Sequence, residues 1–98
     1  MTQQFAGKSA LVTGGGSGIG RATALALAAE GALVTVAGRT PGTLKDTVRL
    51  IEAAGGSARF VVADMTDETQ VEKAVNAATA GIGHLDLAVN NEIGRAHV

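Results

Sequence analysis

The sequence has no cysteine, no tryptophan and no tyrosine. Without cysteine it can form neither a disulfide nor a thiolate metal site, and a cytoplasmic setting is the default expectation. Two phenylalanines are the only aromatic residues, too few for a base-stacking platform that would hold nucleic acid. Proline occurs once against fourteen glycines, and no repeat or Gly/Ser run accompanies them, so the glycines mark particular turns. An excess of one charge is missing too. Eight Lys and Arg against nine Asp and Glu leave a net charge of −1, which gives neither nucleic acid nor an anionic membrane a reason to bind. No apolar run reaches membrane-spanning length, and residues 1–7 lack the basic and apolar segments of a signal peptide.

What remains is a 98-residue chain that is 46% hydrophobic, enough for one small domain built from aliphatic residues. Short apolar runs alternate with helical periodicity. Strands are expected at Ser9–Val12, Leu33–Ala37, Ala58–Val62 and Leu85–Val89. The first helix is expected over Gly18–Glu30 with Ile19, Ala22, Leu25 and Ala26 on its buried face and Gly31 as its stop. Thr40-Pro41 opens the second, whose Leu44, Val48 and Ile51 recur at helical spacing before Gly55-Gly56. Thr66 is the expected cap of the third, acidic at Asp67 and Glu68 and apolar at Val71, Ala74, Val75 and Ala78. Strands separated by single helices imply parallel βαβ units. The expectation is an α/β, Rossmann-type doubly wound sheet of order 3-2-1-4, with a crevice at the carboxyl ends of strands 1 and 4.

The first strand runs into Thr13-Gly14-Gly15-Gly16-Ser17-Gly18-Ile19-Gly20. A pyrophosphate needs backbone N–H groups facing it, no Cβ in its way and a helix N-terminus behind it. Gly14 suits a sharp turn, Gly18 a close approach to phosphates, and Gly20 a close approach of helix to sheet. The bland alternative is a flexible connector. The spacing is neither G-x-G-x-x-G nor a P-loop. It matches T-G-x-x-x-G-x-G, and in this the chain resembles the short-chain dehydrogenase/reductase family. The resemblance assigns Gly14, Gly16, Ser17, Gly18, Ile19 and Gly20 to a nicotinamide dinucleotide.

The second strand ends Ala37-Gly38-Arg39. Sites that prefer NAD carry an acid here for the ribose 2′-OH. Gly38 cannot accept, and Arg39 is a planar donor suited to phosphate, so NADP(H) is favoured over NAD(H); otherwise Arg39 is a solvated surface residue. After the third strand comes Ala63-Asp64-Met65. The resemblance gives Asp64 a hydrogen bond to the adenine and Met65 a place beside the ring, while spacing alone serves equally for a turn residue before a helix. Asn90-Asn91 ends the fourth strand where the family has N-N-A-G, the first Asn tying strands together and the second bordering the ribose. Two adjacent buried asparagines would require a polar network, although Asn-Asn also occurs in ordinary turns. His84 and His97 lack a second ligand or base at useful spacing and are expected to be solvated.

These features cover residues 8–91 in family order. After Asn91 the expected Ala-Gly gives way to Glu92-Ile-Gly-Arg-Ala-His-Val98. Back-translated as GAG ATC GGA AGA GCA CAC GTC, this tail reads as sequencing-library adapter. Residues 1–91 are therefore expected to be the front of an NADP(H)-binding domain and 92–98 a non-native tail. The family's Ser and Tyr-x-x-x-Lys have no counterpart here, so no catalytic residue is assigned and the 98 residues alone are expected to be inactive. The resemblance implies a parent that moves hydride between the nicotinamide and a small carbonyl or alcohol, and that is a homo-oligomer. A non-catalytic NADP(H)-binding module is the other reading.

Overall fold

Ser9–Thr13 (β1) is buried at all five positions, as expected of a parallel strand covered on both faces. In the computed structural model, which describes residues 3–16 and 18–91, it is followed by α1 (Gly18–Ala29), β2 (Leu33–Gly38), α2 (Pro41–Ala53), β3 (Ser57–Val62), α3 (Glu68–Thr79) and β4 (Leu87–Asn90). Ser17, His97 and the rest of the tail at 92–98 lie outside the described residues. The four strands form one parallel sheet of order β3-β2-β1-β4, as the alternation of elements predicts. The register sets Thr13 beside Ala37 and Asn90, and Gly38 beside Val62. All the strand C-termini therefore lie at one end of the sheet.

One face carries α1 and α2 over Ala10, Val12, Val34 and Val36. The other carries α3, whose Ala74 and Ala78 pack with Leu11, Ala37 and Val61. α1 differs from its expected orientation. Its buried stripe is Gly20, Ala24 and Ala28, whereas Ile19, Ala22 and Ala26 are exposed and Leu25 is half-buried against the core. Reading the face from the largest side chains fails here, because the contact surface consists of the smallest ones, which let the helix lie close. In α2 the buried residues are Leu44, Thr47 and Ile51, with Val48 half-buried. In α3 Val71 and Val75 are likewise only half-buried.

Asp67, not Thr66, caps α3, accepting a hydrogen bond from the Thr69 N–H at 2.9 Å. Thr66 is occupied elsewhere, its hydroxyl donating to Asp64 Oδ1 at 2.6 Å. Arg59 on β3 donates to the Ala77 and Ala80 carbonyls at 2.9 and 3.0 Å, fastening the C-terminal end of α3 to the sheet.

β4 begins at Leu87, two residues later than expected, because Leu85 and Asp86 serve its entry. Asp86 Oδ2 accepts from the Ser9 N–H at 2.9 Å, and the Asp86 N–H donates to the Ser9 carbonyl at 2.9 Å. His84 Nδ1 lies 2.7 Å from the same Oδ2, so this histidine has a carboxylate partner where solvation alone was expected. The Ser9 N–H is the main cause that holds the Asp86 carboxyl below its ordinary value, opposed by desolvation and reinforced by His84.

The orientation of α1 gives a direct test. Ala24→Leu would force three carbons into a fully buried contact and is expected to cost about 1–3 kcal/mol. Ala26→Leu, on the exposed face, should stay within about 0.5 kcal/mol of wild type in the same denaturation experiment. The reverse ranking would restore the face read from the large residues.

Candidate functional site

The loop between β1 and α1 is shaped by what its glycines touch. The Gly14 N–H donates to the Ala37 carbonyl at 2.9 Å, extending the parallel ladder one residue beyond β1. The chain then leaves the sheet at a Gly14 φ of +67°, a conformation costly for any residue with a Cβ. A Cβ on Gly15 would lie 2.7 Å from Val36 Cβ and Cγ1. A Cβ on Gly16 would overlap Thr43 Oγ1, and one on Gly20 would overlap the Gly14 carbonyl oxygen. Gly20 therefore brings α1 against the loop's own backbone, a closer partner than the sheet. Gly18 is different. Its φ is +58°, yet nothing lies within 4 Å of where its Cβ would stand, so the backbone there is bare on its outer side. Ile19, next to it, is 76% exposed. The first N–H groups of α1 have no partner within the helix and sit at its positive end.

Beside this loop, β2 ends at the buried Gly38 and the exposed Arg39. Gly14, Gly16, Gly38, Arg39, Thr40 and Thr43 line a cleft over Leu44, and among the described residues no carboxylate lines it. A side chain at Gly38 would be in ordinary contact with Leu44 Cδ2, 3.4 Å away. Thr43 Oγ1 donates to the Thr40 carbonyl at 3.1 Å, closing the first turn of α2.

Asp64 follows β3 at the same sheet end, where the Ala63 N–H donates to the Gly38 carbonyl at 2.8 Å. Its Oδ1 accepts from the Thr66 N–H at 3.0 Å as well as from the Thr66 hydroxyl, which is the behaviour of a turn residue. The half-buried Met65 packs against the Leu11 cluster on the α3 side. Asn90 and Asn91 converge on Thr13. The Thr13 hydroxyl donates to Asn90 Oδ1 at 3.0 Å and accepts from the Asn91 N–H at 3.2 Å. Asn91 Nδ2 donates to the Thr13 carbonyl at 3.2 Å. The polar network expected of the pair exists, but its buried member is Thr13, at 5% exposure; Asn90 is exposed and Asn91 half-buried.

The sequence reading missed Thr13, and it also missed Arg21, Thr43 and Thr47, which support the glycine loop from the helices. A hydroxyl at Thr47, on the stripe that Leu44 and Ile51 define, was the available signal. Among the described residues no cluster of His, Asp and Glu could hold a metal ion, and no helix is long and apolar enough to cross a membrane.

Comparison with known proteins agrees with this geometry. A family model described as short chain dehydrogenase matches residues 8–94. Hydroxysteroid dehydrogenase-like protein 2 of Xenopus laevis is 40% identical over 97 residues, covering 92% of this chain and 23% of the relative. The citronellol catabolism dehydrogenase of Pseudomonas aeruginosa superposes with a TM-score of 0.86 at 40% identity, over 92% of this chain and 38% of that one. A short chain dehydrogenase from Burkholderia cenocepacia, in complex with NADP, superposes with a TM-score of 0.82 at 41% identity, over 89% of this chain and 36% of that one. The chain thus spans well under half the length of each of these proteins.

The glycine contacts predict opposite outcomes for two alanine substitutions. Gly20→Ala places a Cβ on the Gly14 carbonyl and should destabilise the protein by about 1–3 kcal/mol. Gly42→Ala, in a helix and facing open space, should stabilise it by about 0.4–1 kcal/mol. Equal melting temperatures for the two variants would remove the proposed contact between α1 and the loop.

Proposed function

The chain belongs to the short chain dehydrogenase family, and on that premise we propose that residues 1–91 are the dinucleotide-binding portion of an oxidoreductase that prefers NADP(H) to NAD(H). The bound nicotinamide would supply hydride exchange with a carbonyl or alcohol, and this chain's own residues would hold and orient it. The observation that carries the reading is the bare backbone at Gly18, in a loop whose Gly15, Gly16 and Gly20 are fixed by contact. A pyrophosphate can approach there without meeting a Cβ, against N–H groups at the start of α1.

The cleft at the end of β2 supports the choice of cofactor. It offers a guanidinium from Arg39, hydroxyls from Thr40 and Thr43 and, among the described residues, no carboxylate to accept from a ribose 2′-OH or to repel a 2′-phosphate. The Burkholderia protein that superposes on this chain holds NADP. Asp64 and Met65 would border the adenine, although Asp64 Oδ1 already serves Thr66. Asn90, bonded to the Thr13 hydroxyl, would tie β4 to β1 at the cofactor's edge, and Asn91 would border the ribose. Ile19 is exposed at the mouth of the loop, where an apolar surface can meet the cofactor. No tyrosine occurs in the 98 residues, so no general acid is assigned.

Two substitutions separate the phosphate sites, with titrations made on the full-length protein. Losing a charge-assisted contact worth about 1.5–3 kcal/mol, Arg39→Ala should weaken NADPH by about 10-fold to more than 100-fold and leave NADH nearly unchanged. Equal losses for both cofactors would overturn the 2′-phosphate assignment. Gly18→Val should weaken both cofactors together, because the pyrophosphate is common to them. Undiminished binding by that variant would reduce the glycine loop to a connector.

A further inference from the structure

Two polar side chains behind the glycine loop, Arg21 and Thr47, support it from α1 and α2 without lining the cleft. Arg21, half-buried on α1, donates from Nη2 to the Gly16 carbonyl at 2.7 Å and to the Thr43 carbonyl at 3.1 Å. Its Nε donates to Thr47 Oγ1 at 2.9 Å. Thr47, fully buried on α2, donates from its hydroxyl to the Gly15 carbonyl at 2.7 Å, with the Thr43 carbonyl a longer alternative at 3.2 Å. The carbonyls of two successive loop residues are therefore each held by one side chain, and those side chains hold each other. Two helices and the loop meet in one hydrogen-bonded unit.

The peptide group is planar and trans, so its N–H points opposite to its C=O. Fixing the Gly15 carbonyl toward Thr47 turns the Gly16 N–H the other way. Gly16 lines the cleft together with Arg39 and Thr43. The brace thus sets the direction of a loop donor. Through Thr43 it also sets the distance between the loop and the first turn of α2. Among the described residues no carboxylate pairs with Arg21, whose charge remains uncompensated behind a site that would receive phosphates.

We propose that Arg21 and Thr47 are positioning residues that lock the glycine loop to the Arg39 cleft at the spacing a 2′-phosphorylated dinucleotide needs, and so help determine the preference for NADP(H). This rests on the proposed function above. A ligand that engages both phosphate sites depends on their spacing, whereas one that engages only the loop does not.

The test is a double-mutant cycle in the full-length protein, read by cofactor titration and thermal melting. Thr47→Val keeps the volume and removes the hydroxyl. It is expected to weaken NADPH about tenfold and NADH about threefold, the span of one to two lost hydrogen bonds. In an Arg39→Ala background the excess loss for NADPH should disappear, and Thr47→Ser should restore both affinities to within about twofold of wild type. Arg21→Lys, which keeps the charge but cannot bridge two helices, should show the same excess for NADPH. Equal losses for the two cofactors, no loss, or an excess that survives Arg39→Ala would each overturn the proposal. So would variants that melt before they can be titrated, since the pair would then be a support of the fold. If wild type binds neither cofactor, it is the proposed function that fails.

Discussion

The structure depends on one backbone contact, the approach of Gly20 in α1 to the carbonyl of Gly14 at the end of β1. No side chain fits between them. The contact fixes where the helix starts relative to the sheet, and the stripe of Gly20, Ala24 and Ala28 continues the same close approach along α1. With the helix held there, Gly15 settles over Val36, and the loop carbonyls come within reach of Arg21 and Thr47. A larger residue at Gly20 would lift the helix and move each of these groups at once, because packed interiors leave little slack.

The chemistry of the site follows from where the fold leaves polar atoms. A parallel sheet aligns all its strand C-termini, so the groups following β1, β2, β3 and β4 come together at one end. At that end the protein presents backbone donors, hydroxyls and a guanidinium. The carboxylate of Asp64 is turned into its own loop by two hydrogen bonds from Thr66. An anionic ligand suits that balance better than a cationic one.

The alternation of strands and helices could be read from the residues, because each apolar run is short and each helix is bounded by glycine or by a capping side chain. The glycine loop could be read as well, since five of the seven positions from 14 to 20 are glycine, two of them at positive φ and three against neighbours that leave no room for a Cβ. The face of α1 could not. In a segment as rich in alanine as Ala22–Ala29, every side of the helix is apolar, and only the docked sheet decides which side is buried. The choice between Thr66 and Asp67 as cap was equally local and equally hidden, because both residue types can cap and the hydrogen bond from Thr66 to Asp64 decides between them. Arg21 and Thr47 escaped notice because each is unremarkable alone, 26 residues apart, and acquires meaning only when α1 and α2 lie side by side.

The short strand β4 is bound to β1 at both of its ends. Asp86 and Ser9 exchange hydrogen bonds where it enters, and Asn90 and Asn91 close on Thr13 where it leaves. Four residues of ladder between two such fastenings leave little for β4 to do independently of β1. The two strands form a single cooperative unit of local opening, and an excursion that frees β4 from its entry also dismantles the asparagine corner at the far end. Amide exchange at Ser9 and opening of the asparagine corner would therefore be linked quantities, although they lie at opposite ends of the sheet.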